Sequence, residues 1–218
     1  MSHKSQETSW LFNEYYDRYD KWYLRNWNIR LSEHYCLRRL VGDRLVLDIG
    51  VGTGALAAGL KGLLVGVDPA SKPLMIASRR GILAINAYGD SLPFKDNSFD
   101  YVIMTVTLCF LPDPLPVLRE ISRVLKPGGF HVNCFVPRNT NWGRHYLFLK
   151  HSGKSLFYKY AQFYTLREVL EMLSSVRLRY VDACSTLLYE PLKPPVVEYP
   201  AMGIIPSAGF VCVRSVKD

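Results

Sequence analysis

The chain has 218 residues and a formal net charge of +8, with 49% hydrophobic and 21% charged residues. That length suits one domain with an appended cap, and the composition excludes disorder as the dominant state. No run of about 18 apolar residues occurs, so a spanning helix is not expected; the opening MSHKSQETSW lacks the apolar core of a secretory signal, and a cytoplasmic protein is expected.

In chain order, residues 6–41 read as helical and are crowded with aromatic side chains, with Tyr15, Tyr19, Trp22 and Tyr23 at helical spacing. A regular alternation follows. Leu45–Ile49 predicts a strand, Gly50–Gly54 a glycine-rich turn, Ala55–Lys61 a helix, and Leu63–Val67 a strand ending in Asp68-Pro69. Ser71–Arg80 predicts a helix, Ile82–Ala87 and Tyr101–Val106 strands, and Pro114–Leu125 a helix stopped by Lys126-Pro127-Gly128-Gly129. Phe130–Val136 is the next strand, Leu166–Ser174 a helix, and Arg179–Tyr189 and Gly209–Ser215 closing strands. Short alternating strands and helices imply a parallel sheet covered on both faces. The division expected is an N-terminal helical lid, residues 1–43, and a domain over 44–218, with 137–165 and 190–207 irregular.

The charge is uneven: residues 138–179 hold eight basic side chains against Glu168 and Glu171. Such a segment is either a solvated surface or a patch for an anionic partner such as nucleic acid. Five cysteines at wide spacing, with no CxxC, predict reduced thiols and no metal site.

In an open α/β sheet the ligand sits beyond the carboxyl ends of the strands. That points to Asp48–Gly54, Asp68, Asp90 and Thr105–Cys109. Gly50-x-Gly52-x-x-Ala55 fits a loose dinucleotide fingerprint. However, Asp48 two residues before the first glycine would set negative charge beside a pyrophosphate, and a carboxylate there suits a ligand with cationic groups. Asp68 ends the second strand and can accept hydrogen bonds from both ribose hydroxyls; it serves either ligand.

Five segments, LDIGVGTG (Leu47–Gly54), VGVDPAS (Val65–Ser71), GDSLPFKDNSFDYV (Gly89–Val102), LPDP (Leu111–Pro114) and LREISRVLKPGG (Leu118–Gly129), occur in this order. Together they resemble the class I S-adenosylmethionine-dependent methyltransferases, in the branch of ubiquinone and menaquinone biosynthesis. The resemblance implies a Rossmann-like, doubly wound, seven-stranded α/β sheet whose last strand is antiparallel. It implies S-adenosylmethionine as cofactor and S-adenosylhomocysteine as product. It places Asp48, Gly50 and Gly52 at the methionine end with Thr105 lining that side, Asp68 at the ribose, and Asp90 and Ser91 at the adenine, and it counts Thr53, Pro69 and Leu92 among the cofactor-binding residues. Many relatives carry a histidine pair where Cys109 and Phe110 stand, so histidine-assisted chemistry there is not expected.

The acceptor expected is a small molecule, with RNA or protein bound through 138–179, or a non-catalytic cofactor-binding regulator, as the alternatives. Tyr15, Tyr16, Tyr19, Trp22 and Tyr23 are candidate cage residues, Cys109 and Trp142 candidate pocket walls, and His145 and His151 candidate bases; His131 is read as a core or cofactor-neighbouring residue.

Overall fold

The computed structural model describes residues 3–218, with side chains from Gln6 onward. Three N-terminal helices, α1 (His3–Glu14), α2 (Tyr16–Arg25) and α3 (Trp27–Leu40), precede the sheet. Then come β1 (Val46–Ile49), β2 (Leu64–Asp68), α4 (Ser71–Arg79), β3 (Leu83–Asn86), β4 (Phe99–Thr105), α5 (Pro114–Val124) and β5 (Leu125–Phe135). The chain continues through α6 (Asn141–His151), α7 (Leu166–Ser175), β6 (Leu178–Thr186), β7 (Ala201–Met202) and β8 (Phe210–Lys217).

The sheet order is β3-β2-β1-β4-β5-β8-β6-β7. The first five positions pair in parallel, and β8 runs antiparallel to both β5 and β6. The last strand is antiparallel as expected, but the sheet has eight strands rather than seven. The extra one, β7, is a two-residue edge strand inside the proline-rich stretch 190–207.

Successive residues of the central strands feed two separate cores, because side chains alternate across a sheet covered on both faces. Val46, Ile103, Val132 and Cys212 join α3 and α4 through Leu37, Leu40 and Leu74. Leu47, Val102, Met104 and Val213 join α5 and α7 through Leu118, Ile121, Val169 and Leu173. Asp113 caps α5 through its carboxylate on the Leu115 amide (3.1 Å), and Thr165 with Glu168 closes a capping box on α7.

Three expectations fail for identifiable reasons. Residues 55–61 form turns, not a helix: the Ala58 N–H donates to the Gly54 carbonyl (2.9 Å), and the chain then tightens through Leu60 N–H to Ala57 (3.1 Å). Gly54, Gly59 and Gly62 all hold positive φ, which ends helical progression. The segment 137–165 contains α6, started by the Thr140 hydroxyl on the Gly143 amide (3.2 Å). Finally, Cys134 and Cys212 stand directly opposite in the β5–β8 register and form a disulfide; Cys36, Cys109 and Cys184 are free and buried. Among the described residues no helix is long and apolar enough to cross a membrane.

Candidate active site

The loop after β1 is held against the end of β2. Gly50 and Val51 amides both donate to the Val67 carbonyl, at 2.8 and 3.1 Å. Gly50 has φ +71°, and a Cβ there would run into the Thr107 side chain, whose hydroxyl donates to the Gly50 carbonyl (3.2 Å). Gly52 has φ +53° and open space where its Cβ would project. Its amide donates to Asp68 Oδ2 (2.9 Å), and the Ala70 amide donates to Asp68 Oδ1 (2.8 Å).

Asp68 is buried, which pushes its pKa up to about 6 against the opposing Ala70 and Gly52 amides. Asp48 is 1% exposed, and its Oδ1 has no hydrogen-bond partner. Burial first, then the Asp68 charge, hold Asp48 well above the carboxylate range. Two buried carboxyls side by side make a site that favours a cationic or donor-rich group.

Both edges open on one cavity of about 550 Å³. Gly50, Gly52, Thr53, Asp68, Pro69, Asp90 and Thr105 line it on the sheet side. β4 is followed by Val106 with φ +59°, a conformation β-branched residues rarely adopt; Thr105, Val106 and Thr107 all line the cavity. The facing wall is aromatic: Phe12 from α1, Tyr16, Tyr19 and Tyr23 from α2, and Phe110. Phe12 meets Phe110 edge-on at 4.9 Å and Tyr19 at 5.3 Å, and stacks on Phe157 at 5.3 Å.

The N-terminal helices are pinned to both ends of α4. At its N-terminus, where Ala70 offers no side-chain cap, Asn13 Oδ1 accepts from the Lys72 amide (2.9 Å). At its C-terminal end, Arg80 Nη1 and Nη2 donate to Asp20 at 2.7 and 3.0 Å, and the Thr53 hydroxyl donates to Asp20 at 2.7 Å. Arg80 Nη1 also donates to the Thr53 carbonyl (2.7 Å), so α2, α4 and the glycine loop share one polar knot.

Several predicted residues stand elsewhere. Ser91 is exposed, and Leu92 is buried with its amide donating to Glu120 (2.8 Å); neither lines the cavity, and Asp48 lies beneath it. Of the five candidate cage residues, Tyr16, Tyr19 and Tyr23 line the cavity. Tyr15 sits at the break between α1 and α2 and packs on Trp10, while Trp22 turns to solvent. Cys109 faces a separate void of about 30 Å³, with burial pushing its thiol up to about 12. Trp142 is a core residue that donates to the Tyr189 carbonyl (2.7 Å) and lies against Gly209, so it is no pocket wall. His131 is a core residue, its Nδ1 on the Val102 carbonyl (2.9 Å) and its pKa lowered by burial to about 4. His145 and His151 lie on α6, outside the cavity. Thr107 falls within the expected Thr105–Cys109 stretch, whereas the roles of Phe12, Phe110 and the anchoring Asp20 are not read from the sequence; Tyr16, Tyr19 and Tyr23 share the inward face at i, i+3, i+7 spacing.

Residues 47–133 match the family described as "Methyltransferase domain". An uncharacterized protein of Methanocaldococcus jannaschii is 37% identical over 188 residues, covering 86% of this chain and 90% of its own length. A demethylmenaquinone methyltransferase of Bacillus licheniformis is 34% identical over 58% of this chain and 61% of its own length. The crystal structure of a SAM-dependent methyltransferase from Thermotoga maritima, described as a possible histamine N-methyltransferase, superposes with a TM-score of 0.90. It is 31% identical and covers 97% of this chain and all of that one. Sequence and fold likeness over nearly the whole chain thus agree with the glycine loop and paired carboxyls: this chain belongs to the class I S-adenosylmethionine-dependent methyltransferases, and S-adenosylmethionine is its cofactor.

Proposed function

We propose that the protein transfers a methyl group to a small-molecule acceptor held between the sheet edge and a lid made of α1 and α2. The observation that carries this reading is the single cavity that runs from Asp68 and Asp90 to the rings of Phe12, Tyr19 and Phe110. The residues present fit the cofactor. The unpartnered Asp48 Oδ1 and the carboxyl of Asp68 favour a ligand with an ammonium and a sulfonium over a pyrophosphate. Asp48, Gly50, Gly52, Thr53 and Thr105 would hold the methionine end. Each Asp68 oxygen keeps a lone pair beyond its backbone partner, so Asp68, with Pro69, would take the ribose hydroxyls. Asp90, which lines the cavity, would border the adenine.

S-adenosylmethionine supplies an electrophilic methyl carbon: the acceptor's lone pair bonds to it as the carbon–sulfur pair returns to sulfur, leaving S-adenosylhomocysteine. The chain's own part is positioning and exclusion of water. Phe12, Tyr19 and Phe110 close the acceptor side, and the Asp20–Arg80–Thr53 knot fixes that wall to the glycine loop. Burial raises the pKa values of Tyr19 and Tyr23, so their hydroxyls stay protonated and orient the acceptor rather than deprotonate it. Three of the eight basic side chains of residues 138–179 are paired, Arg138 with Glu168, Arg167 with Glu171 and Arg179 with Asp218. The name of the Thermotoga protein supports including amines among the acceptors tried.

Calorimetric titration with S-adenosylmethionine, S-adenosylhomocysteine and NAD tests the reading. Micromolar binding of both sulfur ligands, none of NAD, and loss of both in Asp68→Ala are expected. NAD binding without the sulfur ligands overturns it.

A further inference from the structure

The acceptor side of the cavity ends in a cluster of hydroxyls. Tyr19 and Tyr23 line it, with rings edge-on at 5.3 Å and hydroxyl oxygens 3.5 Å apart. Tyr158 and Tyr146 lie beyond, their rings 4.6 Å apart. Among these rings α3 buries a carboxyl, Glu33, which is 5% exposed. Its Oε2 has no hydrogen-bond partner, and no salt bridge reaches it among the described residues. A buried, unpaired carboxyl opposes folding, and an apolar side chain would fill the same space without that penalty. The Glu33 charge acts on Tyr19 and Tyr23 of α2, Tyr146 of α6 and Tyr189 after β6, so the carboxyl sits at the hub of this cluster. Tyr19 also feels the charge of Asp68, which lines the same cavity.

We propose that Glu33 is the counter-charge for a cationic acceptor, an amine whose ammonium head seats against Tyr19 and Tyr23 with its carbon skeleton along Phe12 and Phe110. This rests on the reading of the cavity as a methyl-transfer site. Glu33 is a positioning residue here: it does not line the cavity and acts on the ammonium through the tyrosine pair, whose ring faces add cation–π attraction.

Burial lifts the Glu33 pKa to about 8, so the free protein holds this carboxyl neutral near neutral pH. A cation arriving nearby favours the ionised form, so amine binding releases a proton, and affinity rises with pH up to about 8. The groups that face Glu33 are Tyr19, Tyr23, Tyr146, Tyr189 and, on its own helix, Cys36; all are shifted upward and stay protonated throughout. Asp48 and Asp68 also have raised pKa values, so loss of the proton release in Glu33→Gln assigns the proton to Glu33.

The test uses the full chain saturated with S-adenosylhomocysteine. Small amines, 2-phenylethylamine, benzylamine and butylamine, are titrated beside the matching alcohols, in phosphate and in Tris, whose ionisation heats differ. At least one amine is expected to bind about tenfold more tightly than its alcohol and to release up to one proton. Glu33→Gln, which keeps the shape and removes the charge, should erase both differences while S-adenosylhomocysteine affinity stays within about twofold. If no amine outbinds its alcohol, or if Glu33→Gln keeps the amine preference, the inference is overturned while the methyl-transfer reading stands. If Glu33→Gln weakens S-adenosylmethionine relative to S-adenosylhomocysteine and leaves amines unchanged, the charge serves the sulfonium and the inference is equally overturned. Failure of S-adenosylhomocysteine to bind faults the methyl-transfer reading and the inference with it. If Glu33→Gln does not fold, Glu33→Asp, which keeps the charge, and Asp68→Asn, which should keep the amine preference, decide between the carboxyls in the same two buffers.

Discussion

One carboxylate bears most of the lid's attachment to the cofactor loop. Asp20 accepts three short hydrogen bonds, two from the Arg80 guanidinium and one from the Thr53 hydroxyl. The Arg80 and Asp20 side chains are 26% and 16% exposed, so solvent screens the pair only in part. An exposed pair contributes under about 1 kcal/mol, whereas a bidentate, half-sheltered one with a third donor should contribute about 2 kcal/mol. The loss in Asp20→Asn should appear as local opening rather than global unfolding, because α1 and α2 lie outside the two sheet cores. About 2 kcal/mol is about a thirtyfold shift in an opening equilibrium. Native-state hydrogen exchange is the assay: α2 amides should exchange about thirtyfold faster in Asp20→Asn, with β4 and β5 unchanged. Exchange in α2 within about twofold of wild type, or equal acceleration in the core strands, refutes the latch. The pH dependence is an internal check. Burial raises the Asp20 pKa, but the bonds from Arg80 and Thr53 outweigh it and hold the group below the ordinary value. A depressed acid contributes stability above its unfolded pKa of about 4, and that stability is lost as pH falls through the lower folded value.

The two loop glycines should fail differently. Gly50→Ala meets both a left-handed φ and the Thr107 side chain and should lower stability by about 2–4 kcal/mol in urea titration; Gly52→Ala meets only the φ and should cost about 1 kcal/mol. Gly52→Ala should nonetheless weaken S-adenosylhomocysteine by about tenfold or more, because its methyl projects into the ligand's space; equal stability losses in the two variants would contradict the geometry. Asp48→Asn should stabilise the free protein by about 1–3 kcal/mol near pH 8 while weakening the cofactor. The sign follows from a folded pKa raised above the unfolded one: the ionised carboxyl destabilises at high pH, and the gain must vanish below about pH 4.

How far the sequence reveals this site depends on the distance over which each part is encoded. Gly50, Gly52 and Asp68 lie at the ends of adjacent strands whose apolar runs are bounded by glycine and aspartate, so their convergence follows from a parallel pair. The helix expected over 55–61 was overruled by backbone signs at Gly54, Gly59 and Gly62 that composition alone does not display. α6 hides because its inward residues, Trp142 and Tyr146, alternate with an exposed Phe148, which blurs the apolar stripe. The Cys134–Cys212 pairing needs the β5–β8 register between residues 78 apart. The aromatic wall turns on helical phase. Tyr15, Tyr19 and Trp22 form one plausible stripe and Tyr16, Tyr19 and Tyr23 the next; the break at Tyr15, with φ −111° and ψ 24°, sets the phase of α2 and selects the second.

The charge of the whole chain points the opposite way from the charge of its cavity. The net +8 invites an anionic partner, yet the basic side chains of residues 138–179 lie outside the cavity. Inside, Asp48, Asp68 and Glu33 are three buried carboxyls, all pushed upward by burial, and none is in a salt bridge among the described residues. In a low-dielectric cleft a nearby group outweighs a distant one screened by water, so ligand choice follows the interior carboxyls rather than the net charge. The same carboxyls burden the free protein, because desolvation is offset only when a cation or a set of donors arrives. The Asp20–Arg80–Thr53 knot then has a definite role. It keeps the aromatic wall in place over a site that is unfavourable without ligand, so that binding settles charges already positioned instead of having to order the lid as well.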